Sequence, residues 1–264
     1  MILAPVLLLL GLAATNPVTP DFVSEHPHAR LDDWSQRRAE IDAALADPAR
    51  LQATRLLFVG DSITELWLRG YNGWAPGQTY GRKFWEESFN RPGTANVALN
   101  LGVIADRSEH VLFRILPKAQ GGLGELDSPA LNPDVIVLMI GINNATAPSK
   151  LVTDSTFEGI RAVLAALHER RPKARIVLQS LLPVADERRN TVVYALNQRL
   201  QALAKSPPHA SYTSFLDLYP AFLDKDARQD RRLFNDGLHP NEAGYRLWRD
   251  RLVPFLAKVR GRRG

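Results

Sequence analysis

The 264-residue sequence predicts a doubly wound α/β domain, with a mainly parallel five-stranded sheet between helical layers. Three observations carry that prediction. Five short apolar runs, at 56–59, 95–101, 135–140, 175–182 and 212–218, are each followed within two residues by Gly or Pro. Runs such as Val135-Ile136-Val137-Leu138-Met139-Ile140 do not alternate polar with apolar, which marks strands buried on both faces in a parallel sheet. Helical patterns at 109–116, 156–171, 191–204 and 242–259 lie between or after them, so the order is strand, then crossover helix.

Before the first strand, residues 2–12 are apolar apart from Pro5 and Gly11, and Leu12-Ala13-Ala14 resembles a small-residue cleavage site. The run is too short to span a bilayer, so residues 1–14 are expected to be a signal peptide, although no Lys or Arg precedes it. The expected location is periplasmic or secreted, with no membrane span after signal removal. Residues 15–50 are expected to be an N-terminal extension with one helix, at 32–46, where Trp34, Ile41, Ala44 and Leu45 recur at helical spacing; it is expected to pack outside the core. No internal repeat or low-complexity linker divides the remainder, so 51–260 is read as one domain.

Composition narrows the chemistry. Hydrophobic residues make up 45% and charged residues 23% of the chain, values of an ordinary globular protein. The absence of cysteine excludes a disulfide scaffold, a thiol nucleophile and cysteine-ligated metal. The formal charge of +5 is partly a tail effect, since Arg260, Arg262 and Arg263 lie in the last five residues, and it does not point to a nucleic-acid partner.

In a doubly wound sheet, ligands gather at the carboxyl ends of the strands. Those ends carry Gly60-Asp61-Ser62-Ile63-Thr64, Asn100-Leu101-Gly102 and Gly141-Ile142-Asn143-Asn144, while Asp236-Gly237-Leu238-His239-Pro240 precedes the last helix. Ser62 is a candidate nucleophile exposed at a sharp turn, or alternatively a helix cap. An Asp three residues before a His can orient the imbidazole as a base; Asp236 and His239 could equally close a turn or form half of a metal site. Gly102 and Asn143 suit an oxyanion hole, the first through its N–H and the second through its amide, though each alone could be a turn or a cap. Together, separate segments deliver complementary parts to one predicted edge.

These blocks, in this order, resemble the SGNH hydrolases, also called the GDSL esterase and lipase family, over residues 55–255. Asn100-Leu101-Gly102 with Asp106-Arg107 and His110-Val111-Leu112, and Leu181-Leu182-Pro183 with Asn197, resemble the branch akin to platelet-activating-factor acetylhydrolase catalytic subunits. The resemblance implies a three-layer α/β/α, flavodoxin-like fold and a serine esterase acting through an acyl-enzyme. It assigns Ser62 as nucleophile, His239 as base and Asp236 as its orienting partner. The oxyanion hole falls to Ser62, Gly102 and Asn143, Asp61 supports the nucleophile loop, and no metal or other cofactor is required. Ile63 stands where the family has Leu, and Ala105 stands where that branch carries more glycine, adding a Cβ beside the oxyanion loop.

The expected substrate is a small-molecule ester, with a short acyl group on a carbohydrate or other polar alcohol. The alternative is a lysophospholipase or lipase-type acylhydrolase. A binding module with a decayed triad and a metal-dependent phosphodiesterase are weaker readings, because competent residues fill every position and no carboxylate cluster completes a metal shell. Trp67, Tyr71, Trp74, Tyr80, Phe84, Trp85 and Phe89 follow the nucleophile, and suit sugar stacking, acyl burial or plain packing alike.

Overall fold

The computed structural model describes residues 26–27, 29–30, 34–71, 76–145 and 152–261. The expected signal peptide at 1–14 and Trp74 lie outside them.

Five parallel strands form one sheet: β1 (Leu56–Gly60), β2 (Ala98–Gly102), β3 (Val135–Met139), β4 (Arg175–Gln179) and β5 (Thr213–Leu216), in the order β2-β1-β3-β4-β5. Alternate residues of each strand feed opposite layers. Leu56 and Phe58 join one apolar cluster with Val135, Val137, Tyr245 and Trp248, whereas Leu57 and Val59 join the other with Leu99, Ile136, Leu138 and Ile160. Burying one such side chain is worth about 1.5–3 kcal/mol, so uninterrupted apolar strands are what a sheet covered on both faces selects.

The helices are α1 (Ser35–Leu45), α2 (Pro48–Ala53), α3 (Ser62–Glu65), α4 (Arg82–Ser88), α5 (Ser108–Ile115), α6 (Ile142–Ala145), α7 (Val152–Arg170), α8 (Glu187–Lys205) and α9 (Glu242–Gly261). Strand order reverses between β1 and β3, the switch point where a doubly wound sheet opens a crevice. Ser62 follows β1 and Asn143 follows β3, so the reversal places both at that crevice.

Several expected boundaries move for local reasons. The second strand starts at Ala98 rather than 95, because Thr94 builds a turn: its Oγ1 accepts from Asn96 N at 3.3 Å and its carbonyl from Val97 N at 3.5 Å. The fourth ends at Gln179 because the next residues leave the sheet; Asn197 of α8 holds Leu181 there through Leu181 N–H to Oδ1 and Nδ2 to Leu181 O, at 2.8 and 2.9 Å. The helix expected outside the core is instead part of it. Ile41 and Ala44 of α1 and Leu51 of α2 are buried among Leu57, Leu99 and Leu101. The segment expected to hold one helix therefore carries α1 and the start of α2, capped by Asp47, whose carboxylate accepts from Arg50 N at 3.1 Å.

Candidate active site

The turn after β1 is built by close approach. A Cβ on Gly60 would lie 2.1 Å from Thr64 Oγ1 and 2.3 Å from Met139 O, so glycine alone lets the strand pass directly into α3. Asp61 caps that helix, accepting from Ile63 N at 3.0 Å through Oδ1. Tyr245 of α9 braces it, donating from its hydroxyl to Ile63 O at 2.7 Å. Asp61 is fully buried, and burial pushes its carboxyl up to about 7, a rise only partly offset by the Ile63 N–H and the proximity of His239.

Ser62, the first residue of α3, has its Oγ 3.0 Å from His239 Nε2. His239 Nδ1 lies 2.8 Å from Asp236 Oδ2, while Asp236 Oδ1 accepts from His239 N at 2.8 Å and Leu238 N at 3.0 Å. With Nδ1–H donating to the carboxylate, Nε2 carries the lone pair that faces the serine. Partial burial would raise the Asp236 carboxyl, but hydrogen bonds from the His239 ring and from backbone N–H groups outweigh it and hold the group at about 2. Gln229 ties the loop down, its Nε2 donating at 2.8 Å to both Pro183 O and Gly237 O. Among the described residues, no group of three or more His, Asp or Glu side chains is placed to hold a metal ion.

Asn143 and Gly102 part company in the structure. The Asn143 amide, on α6, donates to Asp106 O at 2.8 Å and so sits against the loop after β2. Its neighbour Asn144 is buried and spent on α5, accepting from Ser108 N at 3.0 Å and donating to Glu109 Oε2 at 2.9 Å. The Gly102 N–H, expected in the oxyanion hole, is already engaged: it donates to Asn100 Oδ1 at 2.7 Å. Gly102 is required for packing instead, since a Cβ there would come within 2.4 Å of Glu65 N.

The following N–H groups are also committed, with one exception. Val103 donates to Gly60 O at 3.2 Å, Ile104 to Glu65 Oε2 at 2.8 Å, and Asp106 to Val103 O at 3.1 Å. The Ala105 N–H has no acceptor among the described residues, nor has the Ser62 N–H. Ala105 is exposed and left-handed, with φ 64°, a conformation uncommon for residues with a Cβ. The sequence does hold a clue to this exchange. An Asn two residues before a Gly can fold into an Asx-turn that takes the glycine's N–H. Asp106 beneath the loop is buried, and burial lifts its carboxyl to about 6 against the opposing pull of Arg114 and Arg30.

A cleft of about 660 Å³ opens over Ser62 and His239, lined by Leu66, Leu68, Tyr71, Tyr80 and Ile104 and by the polar Gln36, Glu65, Arg69 and Arg82. The aromatic segment divides accordingly. Trp67, Phe84, Trp85 and Phe89 are core residues packed with Tyr245 and Trp248, while Tyr71, at 77% exposure, and Tyr80 reach the cleft.

A family model described as "GDSL-like Lipase/Acylhydrolase family" matches residues 58–247, a span running from β1 into α9. The chain belongs to that family. As a GDSL acylhydrolase it is a carboxylic ester hydrolase. It is 28% identical over 215 residues to platelet-activating factor acetylhydrolase IB subunit alpha1 of Homo sapiens, covering 78% of each chain. Among solved structures, a GDSL-like lipase from Bacteroides thetaiotaomicron aligns over 84% of this chain and 97% of its own, with a TM-score of 0.61 and 24% identity. A carbohydrate esterase family 3 member from Talaromyces cellulolyticus aligns over 78% and 97%, with a TM-score of 0.53 and 17% identity. At these identities the two structures speak to the fold alone, which is the three-layer α/β/α sandwich of GDSL hydrolases.

Proposed function

We propose that this acylhydrolase removes a short acyl group, acetyl foremost, from a carbohydrate or another polar alcohol through an acyl-enzyme on Ser62. The observation that carries the mechanism is the unbroken chain of contacts from Ser62 Oγ to His239 and from His239 to Asp236. His239 Nε2 takes the Ser62 proton as Oγ attacks the ester carbonyl. The oxyanion is held by the open N–H groups of Ser62 and Ala105 and by the Asn143 amide. His239 then gives its proton to the departing alcohol. Water, deprotonated by the same imidazole, releases the acid and restores the serine.

The cleft supports the substrate reading. Its lining sets Gln36, Glu65, Arg69 and Arg82 among Leu66, Leu68, Tyr71, Tyr80 and Ile104, so it offers a substrate polar groups for its alcohol part as well as apolar contact for a short acyl group. A second reading, an acylhydrolase of phospholipid-like esters, is favoured by the similarity to the human platelet-activating factor acetylhydrolase subunit. A substrate panel separates the two. Acetyl esters should exceed butyryl and far exceed octanoyl esters in kcat/KM, by about tenfold or more across the series, with acetylated sugars outpacing an sn-2-acetyl glycerophospholipid and a lysophospholipid. Preference for octanoyl esters or for either phospholipid would overturn the carbohydrate assignment. We also propose export through residues 1–14, tested by N-terminal sequencing of the mature protein from the producing cell.

A further inference from the structure

β2 is an edge strand, and the outward carbonyls of its last residues are met not by another strand but by one side chain from α1. Arg37, only 9% exposed, donates from Nη2 to Asn100 O at 2.7 Å and from Nε to Gly102 O at 2.9 Å. A guanidinium presents parallel donors in a fixed fork, so it satisfies two successive outward carbonyls of an edge as a neighbouring strand would. Its remaining nitrogen donates to Glu40 at 2.7 Å, and Nε lies 4.0 Å from the Glu65 carboxylate that accepts from Ile104 N. Two further side chains close the frame: Arg30 donates to Ile104 O, and Trp34 Nε1 donates to Asp106 Oδ1 at 3.2 Å. The contacts that Arg37, Arg30 and Trp34 make with this strand and loop all end within residues 100–106, the stretch that bears the Ala105 N–H, which has no acceptor among the described residues. All come from a segment that precedes the residues matched by the family model.

We propose that Arg37 is a positioning residue for the oxyanion: by pinning the carbonyls of Asn100 and Gly102 it fixes the loop that presents the Ala105 N–H. The inference rests on the acyl-enzyme reading above. An oxyanion donor acts only if it is already aimed when charge develops, so a loose loop weakens transition-state binding while leaving the ground-state cleft little changed. Arg37 touches neither the substrate nor Ser62, and its effect travels through the loop.

The test compares Arg37→Gln and Arg37→Lys with the wild type, reading kcat, KM and the thermal midpoint on one acetyl ester. The Lys variant retains a cation opposite Glu40 and Glu65, which preserves folding, but an ammonium cannot span both carbonyls in the same geometry. Both variants should lose about tenfold or more in kcat, with KM held within about threefold and Lys the milder. Adding Asn143→Ala to Arg37→Lys should cost less than the product of the separate losses, because both changes act on the same oxyanion. A folded variant with kcat within about twofold of wild type would overturn the positioning role. So would fully multiplicative losses, or a loss that vanishes on cooling below the midpoint. Ser62→Ala is run alongside: if it kept wild-type turnover, the nucleophile reading itself would fall, an outcome distinct from any result at Arg37.

Discussion

The amide of Asn143 donates to the main-chain carbonyl of Asp106 at 2.8 Å, which locks the residue after β3 to the loop after β2. That contact fixes the orientation of the side chain beside the loop. With the amide serving the oxyanion as proposed, Asn143→Ala should lower kcat by about 10²-fold with a smaller change in KM, measured on an acetyl ester. A rise in KM alone would mean that Asn143 binds the substrate in its ground state.

The triad contacts predict an ordering. Ser62→Ala and His239→Ala should each cut turnover by at least about 10³-fold, and the double variant should be hardly worse than either, because the two act as one unit. Asp236 accepts from the imidazole and from two backbone N–H groups, contacts that suit a residue orienting the ring rather than one taking the serine proton. Asp236→Asn should therefore retain about tenfold or more activity over His239→Ala. Equal and mild losses at the two positions would point away from a triad.

Gly102 and Ala105 should respond in opposite ways. Gly102→Ala places a Cβ against the backbone of Glu65, a contact that cannot relax through a rotamer change, and should cost about 1–3 kcal/mol of stability in denaturant unfolding. Ala105→Gly keeps the N–H and relieves a left-handed residue, a gain of about 1 kcal/mol that the glycine's greater unfolded-state freedom largely offsets. Stability within about 1 kcal/mol of wild type and preserved kcat are expected. Loss of activity in Ala105→Gly without loss of stability would mean that the Cβ itself helps to aim the loop.

The sheet was legible because strands buried on both faces leave uninterrupted apolar runs, and the carboxyl ends of those runs then said where to look for polar residues. Ser62 and Asn143 stand at strand ends, where that rule directs, whereas Asp236 and His239, well past the end of β5, are found by their three-residue spacing before the last helix. Gly102 misleads because a glycine beside a functional loop can serve close packing as readily as it can offer a donor, and only the partner of its N–H tells the two apart. Arg37 and Glu65 leave no local signal at all. Arg37 meets Asn100 and Gly102 across more than sixty residues of chain, and Glu65 looks like any helix carboxylate until Ile104 N is found against it. The placement of α1 in the core was hidden for a similar reason: its apolar residues are few, and what buries Ile41 and Ala44 is the edge of the sheet.

Asp61 gives a prediction in pH rather than in activity. Its folded-state value of about 7 lies above the ordinary 3.8, with burial as the cause. Below about pH 4 both folded and unfolded chains hold this proton, and the group does not oppose folding. Between about pH 4 and 7 the unfolded chain has released it while the folded chain keeps it, so stability falls as pH rises, and above about 7 the penalty is complete. Each unit of difference is worth about 1.4 kcal/mol. Asp61→Asn removes the titration while keeping an oxygen that can accept from Ile63 N. The stability difference, variant minus wild type, should therefore grow in the variant's favour from pH 4 to pH 8, by at most about 4 kcal/mol. Asp106, lifted to about 6 by burial, titrates over part of the same range, and its charge is itself one of the influences that raise Asp61, so Asp61→Asn also eases the Asp106 titration. A difference that stays flat across the range, followed by denaturant unfolding at each pH, would show that Asp61 is ionised in the folded protein throughout.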